Sequence, residues 1–327
     1  MAELSETPPT PCFTRARWIA QAPVPLFAIT MGHAGLGLAW RSAHQAFGLP
    51  AAVAEALMAF AAGAFALVAL LYLLKLIACP GGVAADFRHP VMMNFFPAIS
   101  IGLLLLAAGA LPYDLRAAEL LWGTGTVLHL ILAVTIIGRW IRQNTQIQHA
   151  SPAWFIPVVG NVLVPIAGVP LGYETVSWFF FAVGLTFWGP LFTIVLYRLI
   201  FHDPLPPRIA PLLFILIAPP AAGFVAYMQL TGGGLDLLGY VLAASALFIA
   251  LVLAGLAGLF VRLPFALSWW AFTFPSAALS CAMTQVHTEV PGPVTQAIAF
   301  AALAFATVVI AWVTLRTMAA LVTGRLF

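Results

Sequence analysis

Phe274 and Pro275 sit in the middle of an apolar run, residues 269–285, that is long enough to cross a bilayer. The run reads Trp-Trp-Ala-Phe-Thr-Phe-Pro-Ser-Ala-Ala-Leu-Ser-Cys-Ala-Met-Thr-Gln. Pro275 lacks a backbone donor and its ring collides with the preceding turn, so a helix here must kink. Broken backbone at membrane depth persists only where it is packed in protein or lines a cavity. A kinked helix carrying a bulky ring, with small hydroxyls such as Ser276 beside it, is what a gated pore requires. A Pro-kinked packing helix with Phe274 in its core accounts for the same residues, because proline is common in membrane helices.

Other chemistry is sparse. His33 and His129 are the main ionisable groups near mid-depth. Intramembrane acids and bases mark proton relays and ion coupling, but a hydrogen-bonded packing histidine fits the same positions. Two histidines could ligate one haem, yet a second pair is absent, and no cofactor is expected. Glu55 and Glu119 fall at helix starts, where acids are ordinary. Cys12, Cys79 and Cys281 are far apart and odd in number, supporting neither a disulfide framework nor a metal site. No phosphate-binding glycine loop, nucleophile elbow or carboxylate pair is present, so an enzyme is not expected. What remains are small polar groups (Ser100, Asn161, Ser268, Thr273, Ser276 and Ser280) that can wet a conduit without fixing an ion.

The elements that must position these residues follow from composition. Of 327 residues, 63% are hydrophobic and 7% charged, against roughly a quarter charged in a soluble domain. This is an all-α integral membrane protein with the lipid bilayer as its surroundings and no nucleic-acid partner. Ten apolar stretches run over residues 23–40, 51–78, 91–111, 117–138, 152–171, 175–200, 209–230, 235–261, 264–284 and 294–322. Each is near the ~20 residues a spanning helix needs. The expected division is a cytoplasmic segment 1–22, without a signal peptide, a transmembrane domain 23–322, and a short cytoplasmic end 323–327. With the N-terminus inside and ten alternating spans, eleven of the 13 Lys and Arg residues fall on the cytoplasmic side. Only Arg41 and Arg116 fall outside, a strong positive-inside bias.

The odd stretches carry the breakers. The third contains Phe96-Pro97, the fifth Gly160-Asn161 and Pro165, the seventh Pro219-Pro220, and the ninth Phe274-Pro275. The first has no mid-helix proline but carries Gly32, Gly35 and Gly37. The even stretches are mostly unbroken; Gly189-Pro190 in the sixth is the exception. The repeating unit is a helical hairpin used five times. Its economical packing is an inner ring of five breakable helices within an outer ring of five regular ones. The scarcity of buried charge suits passive conduction, and Arg88, Arg139, Arg142 and Arg208 near the inner mouth would raise the local anion concentration.

Ten spans, Pro-broken odd helices and the Trp269-Trp270-Ala-Phe-Thr-Phe274-Pro275 string resemble the TehA family. That family takes in tellurite-resistance proteins, slow anion channels of plant guard cells, and fungal malic-acid and sulfite transporters. Phe96-Pro97, the Asn161 segment and Pro219-Pro220-Ala-Ala fit the same family, and the resemblance covers residues 20–322. It implies a homotrimer whose protomers each hold a pore, with five hairpins in quasi-fivefold order. It also implies that odd helices line the pore and that the phenylalanine matching Phe274 occludes it. Plant members carry long regulatory tails under kinase control; the short ends here make that control unexpected.

The leading expectation is a gated passive channel of the inner (plasma) membrane for small anions such as chloride or nitrate. Gly32, Phe96, Pro97, Asn161, Pro165, Pro219, Pro275 and Ser276 are its expected lining or kink positions. The alternative is a secondary transporter or exporter of dicarboxylate, sulfite or tellurite-type oxyanions. A redox subunit using His33 and His129 is the third reading.

Overall fold

The computed structural model describes residues 17–324. Cys12, Arg15 and Arg325, and most of the two terminal segments, lie outside the described residues. Among the described residues every element is an α- or 3-10 helix, in keeping with the all-α expectation. Seven helices among the described residues are long and apolar enough to cross a membrane: Ala51–Ala78, Met92–Ala110, Leu115–Arg142, Glu174–Phe201, Ala210–Thr231, Leu237–Gly255 and Pro293–Val322. The other three expected stretches are helical but less uniform. Ala28–Phe47 carries Thr30, His33, Arg41, Ser42, His44 and Gln45 among its 20 residues. The fifth stretch is broken into short pieces across Pro152–Gly168. In the ninth, a 3-10 segment Leu267–Phe272 precedes the helix Thr273–Glu289.

The prolines of the odd stretches mark a change of helix type. In the third, a 3-10 turn Met92–Phe95 gives way to an α-helix that opens on Pro97. The seventh passes from 3-10 over Ala210–Ile217 to α at Ala218, just before Pro219 and Pro220. The fifth does so at Val164, before Pro165, and the ninth at Thr273, two residues before Pro275. In the first turn of a helix the missing N–H has no intrahelical partner to lose, so proline is tolerated there. The first stretch follows the same plan: Val24–Phe27 is 3-10, with Pro25 in it, and α begins at Ala28. Pro190, by contrast, lies inside the continuous helix Glu174–Phe201.

Hydroxyls and amides repair these junctions. Ser100 Oγ donates to Pro97 O at 2.8 Å, Thr273 Oγ1 to Trp270 O at 2.7 Å, and Ser276 Oγ to Phe272 O at 2.7 Å. Asn161 Nδ2 donates to Val158 O at 2.5 Å. Buried carbonyls without partners are costly in a medium without water, so these side chains bond the backbone.

Burial separates the two classes of helix. Within their apolar cores, Met92–Ala110 and Ala210–Thr231 are 78% and 83% buried, whereas the five long even helices are only 22–33% buried. The even helices present Leu67, Leu120, Phe201, Phe248 and Val308, among others, outward. Each odd stretch packs on the even helix that follows it. The odd stretches also pack on one another: first on third, third on fifth, fifth on seventh, seventh on ninth, and ninth on first. Gly32 permits the last contact, because a Cβ there would lie 2.5 Å from Thr273 Oγ1. Cys281 is a free thiol.

Candidate functional site

Two cavities lie end to end inside the five odd stretches. The first, of about 240 Å³, is lined by Pro23 and Met31 from the first stretch, Phe95 and Ile101 from the third, and Val159 from the fifth. Pro219 from the seventh and Trp270, Phe274 and Pro275 from the ninth complete it. The second, of about 270 Å³, takes Arg41, Leu105, Ile166, Gln229 and Ala278 from the same five stretches in turn. Among the described residues, no even helix contributes to either lining. Leu163, Ala222 and Phe274 line both cavities, where the two adjoin. Phe274 is buried, at 8% exposure. Its ring is backed by Gly35, where a Cβ would meet Phe274 Cδ2 at 3.2 Å.

The linings differ in polarity. Ser268 is the one hydroxyl facing the first cavity among the described residues, and its Oγ donates to Arg208 O. Arg41, Ser42, Gln45 and Gln229 face the second. Arg41 Nη2 donates to both Glu55 oxygens, at 3.1 and 3.2 Å, and Nη1 to Gly109 O at 3.1 Å and Ala108 O at 3.4 Å. Glu55 is absent from the lining and more exposed than Arg41. The carboxylate therefore holds the guanidinium from behind.

Of the expected site residues, Phe274, Pro275 and Pro219 come together on the first cavity. Phe96 and Pro97 flank the lining residues Phe95 and Ala98, and Asn161 lies between Gly160 and Val162, which line it. Pro165 precedes Ile166, which faces the second cavity. Gly32 packs against Thr273. Ser276 faces a lateral groove of about 880 Å³ between the ninth stretch and the eighth and tenth helices. Of the scattered hydroxyls expected to wet a conduit, Ser268 lines the first cavity while Ser100, Thr273 and Ser276 serve the backbone, and the polar lining of the second cavity comes from Arg41, Ser42, Gln45 and Gln229.

Neither histidine lines the two cavities. His33 Nδ1 lies 2.9 Å from Ile29 O, which fixes its proton there, and Nε2 lies 3.1 Å from the Thr314 hydroxyl. His129 is fully buried, with Nδ1 2.9 Å from Ser100 Oγ. The two rings thus serve separate packing networks. Among the described residues no group of three or more His, Cys, Asp or Glu could hold a metal ion. Sequence reasoning did not single out Leu163, Ala222 or Arg41 as lining. Of these, Arg41 alone carried a signal, as a cation on the sparse side of the charge distribution.

Known proteins resemble this chain in sequence. The chain is 28% identical to the S-type anion channel SLAH3 of Arabidopsis thaliana over 301 residues, covering 90% of this chain and 47% of that protein. It is 32% identical to S-type anion channel SLAH2 of the same plant over 265 residues, covering 80% of this chain and 51% of the other. The chain therefore spans about half the length of these plant relatives. It is also 25% identical to the tellurite resistance protein TehA homolog of Haemophilus influenzae over 307 residues, covering 93% and 92% of the two chains. Residues 21–318 match a single family, described as voltage-dependent anion channel, and this multi-pass membrane protein belongs to it: the SLAC1 family.

Proposed function

We propose that this chain is a passive anion channel of the cell inner membrane, with Phe274 as the gate. Residues 23–322 form the channel domain, ten spans arranged as five hairpins in quasi-fivefold order. The two cavities are the inner and outer halves of one pathway, interrupted at Leu163, Ala222 and Phe274. Both termini lie in the cytoplasm, as the Lys and Arg distribution suggests, so the Arg41 cavity opens outward. Three copies assemble, each with its own pathway. Chloride and nitrate are the proposed permeant ions.

One observation carries this reading: Phe274 is shared by two cavities that draw on all five odd stretches. An apolar constriction of that kind blocks ions by excluding water, and moving one ring restores a wet path. The near absence of charge along the linings favours ions that enter and also leave. Pro275 places a 3-10 to α junction beside the ring, and such junctions are where helices hinge.

Oxyanion export by the same route is the second reading, suggested by the name of the Haemophilus influenzae relative. Reversal potentials of the reconstituted protein separate the two. A channel follows the anion gradient alone, at any proton gradient. A reversal potential that moves with pH at fixed anion gradient would replace the channel by a coupled exporter.

A further inference from the structure

The lateral groove, of about 880 Å³, is larger than either central cavity and falls in the ~300–1,000 Å³ range of ligand clefts. Its floor is the ninth stretch, through Phe272, Ser276, Leu279 and Met283, and its walls are the eighth and tenth helices. Those four residues recur at helical spacing, on a different face from Phe274 and Ala278, which line the central cavities. The lips are bare: Leu251 on the eighth helix is 61% exposed and Val308 on the tenth 67%. The groove therefore opens sideways, toward lipid. Along the tenth helix its lining runs from Ile298 to Arg316, roughly 27 Å at ~1.5 Å per residue. One leaflet supplies about half of the ~30 Å hydrocarbon core, so a whole acyl chain fits.

One end of the groove carries a cation. Arg316 is its single charged lining residue among the described residues, and Arg262 lies between the lining residues Val261 and Leu263. The Arg316 guanidinium rests against two rings of the groove, with Cζ 5.6 Å from the Phe265 centroid and 5.7 Å from that of Trp312. Ring contacts of this kind leave the N–H edges to other partners. The ion pairs among the described residues are Arg41–Glu55 and Lys75–Asp86, so neither Arg316 nor Arg262 has a carboxylate. Topology accounts for cations on this side, but not for a guanidinium laid on rings at the end of an apolar groove. A second copy of the chain could cover the apolar part, yet it has little to offer the two arginines. On the Arg-rich side the described carboxylates are Asp86 and Asp203, and Asp86 is already held by Lys75. A phospholipid supplies both parts: a chain for the groove and a phosphate for the guanidinium.

We propose that the groove seats an acyl chain of an anionic phospholipid from the cytoplasmic leaflet, with the lipid phosphate on Arg316 and Arg262. The leaflet follows from the orientation proposed above; the site itself does not depend on what passes through the central cavities. Native mass spectrometry of the full-length protein in detergent tests it, with dioleoyl phosphatidylglycerol and dioleoyl phosphatidylcholine as probes. The wild type should retain phosphatidylglycerol in preference to phosphatidylcholine. Arg316→Gln should weaken phosphatidylglycerol retention about fivefold, the effect of one cation near a lipid surface, with a smaller change for phosphatidylcholine. Arg316→Lys should restore most of the loss. Ala254→Trp places bulk on the groove wall and should weaken retention of both lipids with Arg316 intact. Inorganic phosphate should displace neither lipid, because it lacks the chain. Equal retention of the two lipids, or retention that ignores Arg316→Gln and Ala254→Trp alike, would mean ordinary surface lipid and overturn the site. Displacement by inorganic phosphate would overturn it in favour of a free-anion site. A wild-type assembly that excludes both lipids and dissociates in Ala254→Trp would overturn it in favour of a contact between copies.

Discussion

The ring of Phe274 rests on Gly35. A Cβ added at Gly35 would stand 3.2 Å from Phe274 Cδ2 and 3.2 Å from Ala277 Cβ, so the ring must give way to any larger residue. Gly35→Ala gains about 1 kcal/mol in helix propensity but overpacks this contact by ~1–3 kcal/mol. The propensity gain is common to both backgrounds and cancels in a double-mutant cycle. Thermal unfolding in detergent should therefore show Gly35→Ala to be more harmful in the wild type than in Phe274→Ala, by roughly 0.5–3 kcal/mol. Strict additivity would mean that the two residues do not meet.

Lys75 is a buried cation, 3% exposed. Its Nζ donates to Asp86 Oδ2 at 2.6 Å and to Ala22 O at 2.8 Å, next to the cavity-lining Pro23. Asp86→Asn leaves that charge without its counterion, which costs about 3–5 kcal/mol for fully buried pairs. The Asp86 side chain is 23% exposed, so a loss of about 3 kcal/mol, at the lower end, is expected. Lys75→Met with Asp86→Asn removes both charges and should recover part of that loss in chemical denaturation. A double variant as damaged as the sum of the singles would contradict the pairing.

Gly160 lets the fifth stretch close on His129. A Cβ at residue 160 would meet His129 Cε1 at 2.4 Å and Ile101 Cδ1 at 2.8 Å. Gly160→Ala should destabilise by ~1–3 kcal/mol through overpacking, and His129→Ala should relieve part of that strain in the double variant. Purified wild-type protein should show no haem absorbance band, since His33 bonds Ile29 O and the Thr314 hydroxyl, His129 bonds Ser100, and neither ring lines a cavity. Such a band would reinstate the redox reading.

The breakers were legible in the sequence because proline acts locally. Pro97, Pro165, Pro219 and Pro275 each sit within two residues of a 3-10 to α junction. Pro25 lay at the edge of its apolar stretch, so the same junction in the first stretch was hidden behind its glycines. Which way a side chain faces was much harder to read. These helices are apolar nearly all round, which erases the periodic contrast that marks a buried face. Leu163 and Ala222 therefore looked like any other Leu and Ala. Ser276 and Thr273 looked available to solvent, yet each bonds a carbonyl three or four residues back. Arg41 stood out by charge, but its place on a cavity depends on packing among the first, second and third stretches.

The most direct test removes the ring that the two cavities share. In planar-bilayer recordings under asymmetric chloride and nitrate, the wild type should be nearly silent. Phe274→Ala should carry large, constitutive currents that reverse at the anion equilibrium potential. Wild-type-sized currents from a properly folded Phe274→Ala protein would contradict the account.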